Sequence, residues 1–209
     1  MVVEKLVLGM CSTNCYVVYD QISRAAVIID PAANPVAIKN LIVRLNIKPM
    51  AILLTHGHFD HILAAEEIKK EYDIKIYASE AESQILTDSN NNLSVPFTGE
   101  PFVINSDVGL KAGEELKIGP FRIKLIAVPG HTIGGMCYYF EEAGTLFSGD
   151  TLFAGSVGRH DFPTGNGLQL LTGIKDKLFT LPEETICYSG HGELTTIGYE
   201  KENNPFFGL

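Results

Sequence analysis

The chain has 209 residues and a formal net charge of −9; 45% of its residues are hydrophobic and 20% are charged. A chain of this size and composition can bury a substantial core. The acidic charge argues against nucleic-acid binding, and the lack of any apolar stretch of about 18 residues argues against a membrane span. The N-terminal segment does not resemble a secretory signal, so we expect a cytoplasmic protein. We also expect a single domain over residues 1–209.

The first half of the chain predicts strands that alternate with helices. Apolar residues spaced at i, i+3, i+4 and i+7 predict a helix face formed by Ile38, Leu41, Ile42 and Leu45. The polar segment over residues 87–107 predicts a long loop, and long loops in compact domains are often functional. The other predicted elements are strands over residues 14–19, 25–30, 51–54 and 75–78, a helix from near His61 to Tyr72, and a short helix over residues 81–86.

The second half predicts a similar series of elements. Its strands are expected over residues 121–128, 136–140, 145–148 and 185–189, and its helix over residues 168–179. Several strands are too apolar for burial on one face only, which favours two packed sheets with helices on the outside.

A dense group of metal-ligand side chains follows the predicted strand over residues 51–54. Three imidazoles and one carboxylate occur within six positions, in the sequence His56-Gly57-His58-Phe59-Asp60-His61. Side-chain packing does not explain this density at a strand end, whereas half of a metal site does.

Three more predicted strands end in glycine-containing loops that carry a ligand-type residue: His131, Asp150 and His191. Loops at one edge of a rigid sheet converge easily, so these side chains can share one site with those of residues 56–61. Five of the six histidines of the chain lie in these loops. The sequence therefore predicts a metal site built from four strand ends.

The residue types indicate which chemistry this site supports. Imidazole and carboxylate bind divalent zinc, iron or manganese, and the lack of a cysteine in the set leaves the metal open. Seven ligands exceed the need of a single tetrahedral ion, so we expect two ions. Two ions about 3.5–4 Å apart lower the pKa of a water between them and stabilise the oxyanion formed on its attack.

This ligand pattern resembles the metallo-β-lactamase superfamily over nearly the whole chain. The resemblance implies an α+β fold, a four-layer αββα sandwich with the metals at one edge of the two sheets. It also implies that Asp150 bridges two metals, the first held by His56, His58 and His131 and the second by Asp60, His61 and His191.

Within the superfamily, the chain is similar to the short glyoxalase II (hydroxyacylglutathione hydrolase) branch. The similarity includes residues 158–163, Gly-Arg-His-Asp-Phe-Pro, and the C-terminal segment from Thr195 to Phe206. It implies hydrolysis of a small-molecule acyl thioester by a metal-bridged hydroxide, with Asp60 and Asp150 as catalytic residues. Zinc is the metal we expect first, with iron or manganese as alternatives, in a monomer or homodimer.

Full-length glyoxalase II enzymes carry a C-terminal helical domain that helps to hold glutathione. Here 18 residues follow His191, so we expect no such domain, and the thiol carrier stays open. One alternative is an iron-dependent persulfide dioxygenase, whose typical tail, His-Asp-Tyr, differs from His191-Gly192-Glu193. A lactonase or β-lactamase-like hydrolase and an RNA-processing nuclease are further alternatives.

Three residues outside the ligand set also have expected positions or roles. Arg159 forms an ion pair with Asp161 that fixes its loop, or it contacts a substrate carboxylate with its planar guanidinium. His160 has no ligand position in the family pattern and is expected at the rim of the pocket or on the surface. Asp30 hydrogen-bonds a metal ligand from behind or forms a turn.

Overall fold

Two six-stranded sheets form the centre of the fold in the computed structural model, which describes residues 1–208. The first sheet has the order β1-β2-β3-β4-β5-β6, and β3 to β6 run parallel. Its strands are β1 (Val2–Leu8), β2 (Thr13–Tyr19), β3 (Ala25–Ile29), β4 (Lys48–Leu53), β5 (Lys75–Ser79) and β6 (Val108–Leu110).

The second sheet has the order β14-β13-β10-β9-β8-β7, and only the pair β10 and β13 is parallel. Its strands are β7 (Glu115–Ile118), β8 (Phe121–Ala127), β9 (Met136–Phe140), β10 (Thr145–Gly149), β13 (Ile186–Ser189) and β14 (Thr195–Thr196). A separate hairpin follows β10 and consists of β11 (Leu152–Phe153) and β12 (Ser156–Val157).

Helices lie outside the two sheets, and most of them pack against the outer faces of the sheets. They are α1 (Pro35–Leu45), α2 (Phe59–Ile62), α3 (Ala65–Tyr72), α4 (Ser83–Leu86), α5 (Ser94–Thr98), α6 (Gly167–Gly173) and α7 (Ile197–Asn203). A 3₁₀ turn over Glu80–Glu82 precedes α4, and a π-helical turn over Ile174–Leu178 continues α6. Among the described residues, no helix is long and apolar enough to cross a membrane.

The four layers follow from the alternation of side chains along the strands. In β3, Ile28 faces a core shared with Ile38 of α1, whereas Val27 and Ile29 face the core between the two sheets. In β9, Tyr138 faces that same central core, and its neighbours Cys137 and Tyr139 face a third core under α6 and α7. Because both faces of these strands are buried, nearly every residue in them is apolar. The predicted αββα sandwich is confirmed.

The strands predicted from apolar runs are confirmed to within a few residues. The helix predicted from near His61 to Tyr72 is confirmed over Ala65–Tyr72, but it is not continuous, because Leu63 and Ala64 separate α2 from α3. The backbone amide of Ala64 donates to the carbonyl of Pro31 at 2.9 Å, so it does not continue the helical ladder of α2. The predicted loop over residues 87–107 contains the short helix α5.

Candidate metal centre

The structure brings all seven predicted ligands together at one edge of the sandwich. They follow the carboxyl ends of β4, β8, β10 and β13, which lie at the same edge. A fifth strand end also reaches the site, because Asp30 follows β3 directly. The rigid sheets therefore bring together predicted ligands that lie up to 135 residues apart in the sequence, as the separation of His56 and His191 illustrates.

Hydrogen bonds between the two sheets fix the relative position of the ligand loops. The Tyr138 hydroxyl of the second sheet donates to the carbonyl of Leu54 at 2.6 Å, just before His56. The Tyr16 hydroxyl of the first sheet donates to the carbonyl of Ser189 at 2.6 Å, just before His191. Both bonds are buried, so each loop is tied to the opposite sheet next to its ligand.

The first cluster consists of His56, His58 and His131, whose ligand atoms lie within 4.8 Å of one another. His131 Nδ1 donates to the carbonyl of Arg159 at 2.6 Å, so Nε2 carries the lone pair. That Nε2 lies 2.9 Å from His58 Nδ1. Three imidazoles converging in this way are a suitable donor set for a divalent cation.

The second cluster consists of Asp60, His61 and His191, again with ligand atoms within 4.8 Å of one another. His191 Nδ1 donates to the carbonyl of Cys11 at 3.2 Å, and its Nε2 lies 3.4 Å from Asp60 Oδ2. The hydroxyl of Thr13 donates to the same carboxylate oxygen at 2.7 Å and orients it.

Asp150 lies between the two clusters. Its Oδ2 is 3.6 Å from His131 Nε2 in the first cluster and 3.4 Å from His191 Nε2 in the second. Its Oδ1 is 3.4 Å from His61 Nε2. The two oxygens of one carboxylate therefore face both donor sets, the position that a bridging ligand requires.

Unpartnered buried atoms show that these residues fit bound cations. His56 Nε2, His58 Nε2, His61 Nε2 and Asp150 Oδ1 are buried and lack a hydrogen-bond partner. Buried polar atoms without a partner are rare and costly in folded proteins. Three of the six such side-chain atoms among the described residues belong to histidines of this centre, and cations bound between the clusters would engage their lone pairs.

The two clusters differ in their affinity for protons. Burial, together with neighbouring histidine charges, lowers the pKa of His58 to about 3 and that of His56 well below its usual value. Burial also opposes protonation of His61, but Asp60, Asp150 and Asp30 outweigh it and raise the pKa well above the usual value. The first cluster is therefore neutral near pH 7, whereas the second holds protons until cations replace them.

Asp30 forms a hydrogen bond to a candidate ligand from behind the centre, which is one of the two roles expected for it from the sequence. Its Oδ2 accepts hydrogen bonds from His61 Nδ1 at 2.9 Å and from the Thr55 hydroxyl at 2.6 Å, and its Oδ1 accepts from the Thr55 amide at 2.8 Å. The Thr55 hydroxyl in turn lies 3.1 Å from His56 Nδ1. Asp30 thus orients a histidine of each cluster, directly or through Thr55.

Glu82 is a supporting residue that the sequence analysis did not identify. Its side chain is fully buried and accepts hydrogen bonds from the amides of Gly57 and Gly134, each at 2.7 Å. Gly57 lies between His56 and His58, and Gly134 closes the loop that begins at His131. One carboxylate therefore joins the loops that supply the first cluster, although a glutamate in a short helical segment carries no sequence signal of this role.

The geometry agrees with a match to a known family. The profile of the metallo-beta-lactamase superfamily matches residues 8–191 of this chain.

The chain belongs to the metallo-beta-lactamase superfamily.

Relatives and solved structures of the superfamily match the chain over nearly its whole length. The probable metallo-hydrolase YqgX of Bacillus subtilis is 38% identical over 204 residues, covering 97% of this chain and 96% of the relative. Hydroxyacylglutathione hydrolase GloC of Haemophilus influenzae is 35% identical over 213 residues, covering 99% of this chain and 98% of the relative.

The crystal structure of the B3 metallo-beta-lactamase BLEG-1 superposes with a TM-score of 0.95 at 40% identity, covering 99% of each chain. That of TTHA1623 in a di-iron-bound form has a TM-score of 0.85 at 32% identity, covering 97% and 99%.

Close backbone approach makes glycine necessary beside the superfamily ligands. A Cβ atom on Gly190 would collide with Asp150 Oδ1 and the ring of His61. Gly149 has a φ of 51°, and a Cβ there would collide with Thr55. Glycines at these strand ends therefore let the loops meet behind the ligands.

Arg159 and His160 lie next to the centre without joining it. The predicted ion pair of Arg159 is confirmed, because Nε and Nη2 donate to the two carboxylate oxygens of Asp161 at 3.0 and 2.9 Å. A substrate contact by the Arg159 side chain stays a prediction. His160 is exposed and lies against Gly167, which agrees with the expected surface position.

A cleft of about 380 Å³ opens beside the metal centre. Residues of the predicted loop over 87–107 reach it through Leu93 and Phe97, and the β11–β12 hairpin reaches it through Phe153 and Val157. Volumes of this order are typical of small-molecule sites. The cleft therefore leaves the candidate ligands accessible from solvent.

Proposed function

We propose that this protein is a binuclear metal-dependent hydrolase that cleaves acyl thioesters in the manner of glyoxalase II. The observation that carries the proposal is the convergence of seven imidazole and carboxylate side chains into two donor sets with Asp150 between them. Relatives named as metallo-hydrolases and as a hydroxyacylglutathione hydrolase support it.

The ligand residues divide between two positions. His56, His58 and His131 would hold one divalent cation, and Asp60, His61 and His191 a second, with Asp150 shared between them. Zinc suits these donors best, and iron or manganese are compatible with them. When bound, such cations lower the pKa of a water molecule and stabilise negative charge on a carbonyl oxygen.

The surrounding residues prepare this site for catalysis. His131 and His191 are held by backbone carbonyls and His61 by Asp30, so each ring presents Nε2 to the centre. Burial opposes ionisation of Asp60, yet His61 and His191 lower its pKa to about 2, so it is a carboxylate at neutral pH. A group with so low a pKa is suited to orienting the attacking water and poorly suited to storing its proton.

The reaction adds water across the thioester carbonyl, breaks the carbon–sulfur bond and releases a carboxylic acid and a thiol. Its substrate is a small-molecule acyl thioester such as S-D-lactoylglutathione. The cleft beside the centre is the path by which the acyl group would reach the water and the ligands.

Hydrolysis of S-D-lactoylglutathione tests the proposal. We expect acid and thiol in equal amounts, loss of the rate after chelation, and recovery on addition of zinc, iron(II) or manganese. His131→Ala should abolish the rate, whereas His160→Ala, at an exposed histidine, should keep it. Oxygen uptake with glutathione persulfide, without thioester cleavage, would instead support the persulfide dioxygenase.

A further inference from the structure

We infer that the cleft selects its substrate by apolar contact with the acyl group and makes little use of charge on the thiol carrier. This inference rests on the proposed thioester hydrolysis and names its substrate class: a thioester of an apolar, branched or aromatic carboxylic acid, on a carrier that need not be glutathione.

Three phenylalanines from separate segments form an aromatic wall beside the candidate ligands. The Phe162 ring lies 5.7 Å from the His58 ring, and the Phe153 ring lies 6.2 Å from the His191 ring. Phe97 of α5 extends the wall and lies 6.1 Å from Phe162. An apolar surface therefore faces both donor clusters.

The wall continues into the protein and also remains open to solvent. The buried side chains of Phe59, Leu93 and Val157 line the cleft behind it. Phe97 keeps 49% of its surface exposed although it packs 5.8 Å from Phe59. An exposed phenylalanine that continues a buried apolar lining favours an apolar ligand, which would cover it.

The cleft offers few cationic side chains to an anionic carrier. Glutathione carries two carboxylates and one ammonium group, and cationic side chains are the strongest partners for such carboxylates. Among the described residues that line the cleft, Arg159 is the only lysine or arginine.

Arg159 already has a carboxylate partner and an aromatic partner within the protein. Two of its nitrogens pair with the carboxylate of Asp161, and its guanidinium carbon lies 4.0 Å from the centre of the Phe162 ring. The cation therefore supports the aromatic wall, and its charge is balanced before a substrate arrives.

Four substrates test the inference: lactoyl and 4-methylpentanoyl thioesters, each carried by glutathione and by neutral N-acetylcysteamine. Each kcat/KM is divided by the rate constant for hydroxide-catalysed hydrolysis of the same compound, which removes the activation of the lactoyl group by its own hydroxyl. We expect the 4-methylpentanoyl group to raise this ratio about tenfold on either carrier. We expect the carrier to change it less than about threefold.

Two exposed phenylalanines provide a matched pair of variants. Phe97→Ala should remove most of the preference for the 4-methylpentanoyl group, and Phe97→Leu should restore much of it. Phe206→Ala should leave the preference unchanged, because Phe206 is similarly exposed, at 46%, and does not line this cleft. Thermal unfolding of the three variants checks that they fold.

The outcomes separate the inference from the proposed function. A tenfold preference for glutathione over N-acetylcysteamine, or equal ratios for the two acyl groups, would overturn the inference and leave thioester hydrolysis standing. Failure to cleave any of the four substrates would overturn both.

Discussion

His61 Nδ1 donates a hydrogen bond to Asp30 Oδ2 at 2.9 Å, deep in the protein where both side chains are buried. This bond determines which nitrogen of His61 faces the centre, because a ring held by Asp30 at Nδ1 leaves Nε2 as the atom that can give up its proton and bind a cation. Asp30 precedes the proposed ligands by a whole helix and strand, yet it controls the orientation of one of them.

Replacement of Asp30 by asparagine tests this control. Asp30 accepts three hydrogen bonds, and an amide would turn an NH₂ group toward at least one of the donors. Partners behind a metal ligand are typically worth about 10–100-fold in metal affinity. We expect a loss of this size at the Asp60, His61 and His191 position, measured by competition with a chromophoric chelator.

Asp73→Asn is the matched control for that experiment. Asp73 has a φ of 50°, close to the 48° of Asp30, and it is exposed. Asparagine tolerates this conformation as well as aspartate does, so the control should bind metal like the parent. Unchanged metal affinity in Asp30→Asn would show that the Asp30 carboxylate does not contribute to metal binding.

Glu82→Gln should weaken the first cluster. The glutamine amide can accept only one of the two hydrogen bonds from Gly57 and Gly134 and would leave the other N–H opposite an NH₂ group. A buried donor without an acceptor costs about 1–3 kcal/mol. We expect a lower unfolding temperature and weaker metal binding, followed by calorimetry and chelator competition.

Glu80→Gln, in the same 3₁₀ turn, controls for the loss of a negative charge, because Glu80 is exposed. It should unfold and bind metal like the parent protein. If Glu82→Gln also matched the parent protein in unfolding temperature and in metal affinity, the Glu82 carboxylate would not be needed to hold the loops of Gly57 and Gly134 together.

The metal-free protein should be most stable near neutral pH. Burial lowers the pKa of His58 from 6.5 to about 3, so the unfolded chain takes up this proton first, and stability falls as the pH drops below about 6.5. Burial also disfavours protonation of His191, but Asp150 and Asp60 raise its pKa from 6.5 to about 9. That contribution is complete below about pH 6.5 and is lost as the pH rises through about 9.

Urea unfolding of chelator-treated protein at about pH 5, 7 and 9 measures this dependence. We expect the largest free energy of unfolding at the middle pH. Saturating metal should remove the alkaline decline, because ligation takes the proton from His191. A metal-free protein that gains stability from pH 7 to 9 would contradict the assignment of protons to the second cluster.

Asp150→Ala should lower metal stoichiometry as well as rate. The carboxylate faces both clusters, so its loss removes a ligand from each and leaves no negative charge between two cations. Elemental analysis should find fewer than two metals per chain. Asp161→Ala, at an exposed position, is the control, and two fully occupied sites in Asp150→Ala would refute the bridging role.

The sequence predicts the fold and the ligands through different kinds of regularity. Both faces of strands such as Ala25–Ile29 are buried, so their continuous apolar character indicates layers on each side. The ligands stand directly after such strands, and that placement is enough to predict a shared edge for His56, His131 and His191. Strand ends converge because the sheets are rigid, which a linear pattern can reveal.

The supporting residues depend on contacts that no local pattern encodes. Glu82 looks like a surface residue in the sequence, and its burial depends on the approach of Gly57 and Gly134 from separate loops. The aromatic wall joins Phe97 to Phe162, which lie 65 residues apart. Such contacts arise only when the loops are folded against each other, so the sequence predicts the centre of the site better than its surroundings.

The most direct test of the central claim is the metal content of freshly purified protein by elemental analysis, paired with hydrolysis of S-D-lactoylglutathione on the same sample. About two divalent metals per chain together with thioester cleavage is the predicted result. One iron per chain without thioester cleavage would contradict the binuclear hydrolase and direct the next experiment to an oxygen electrode.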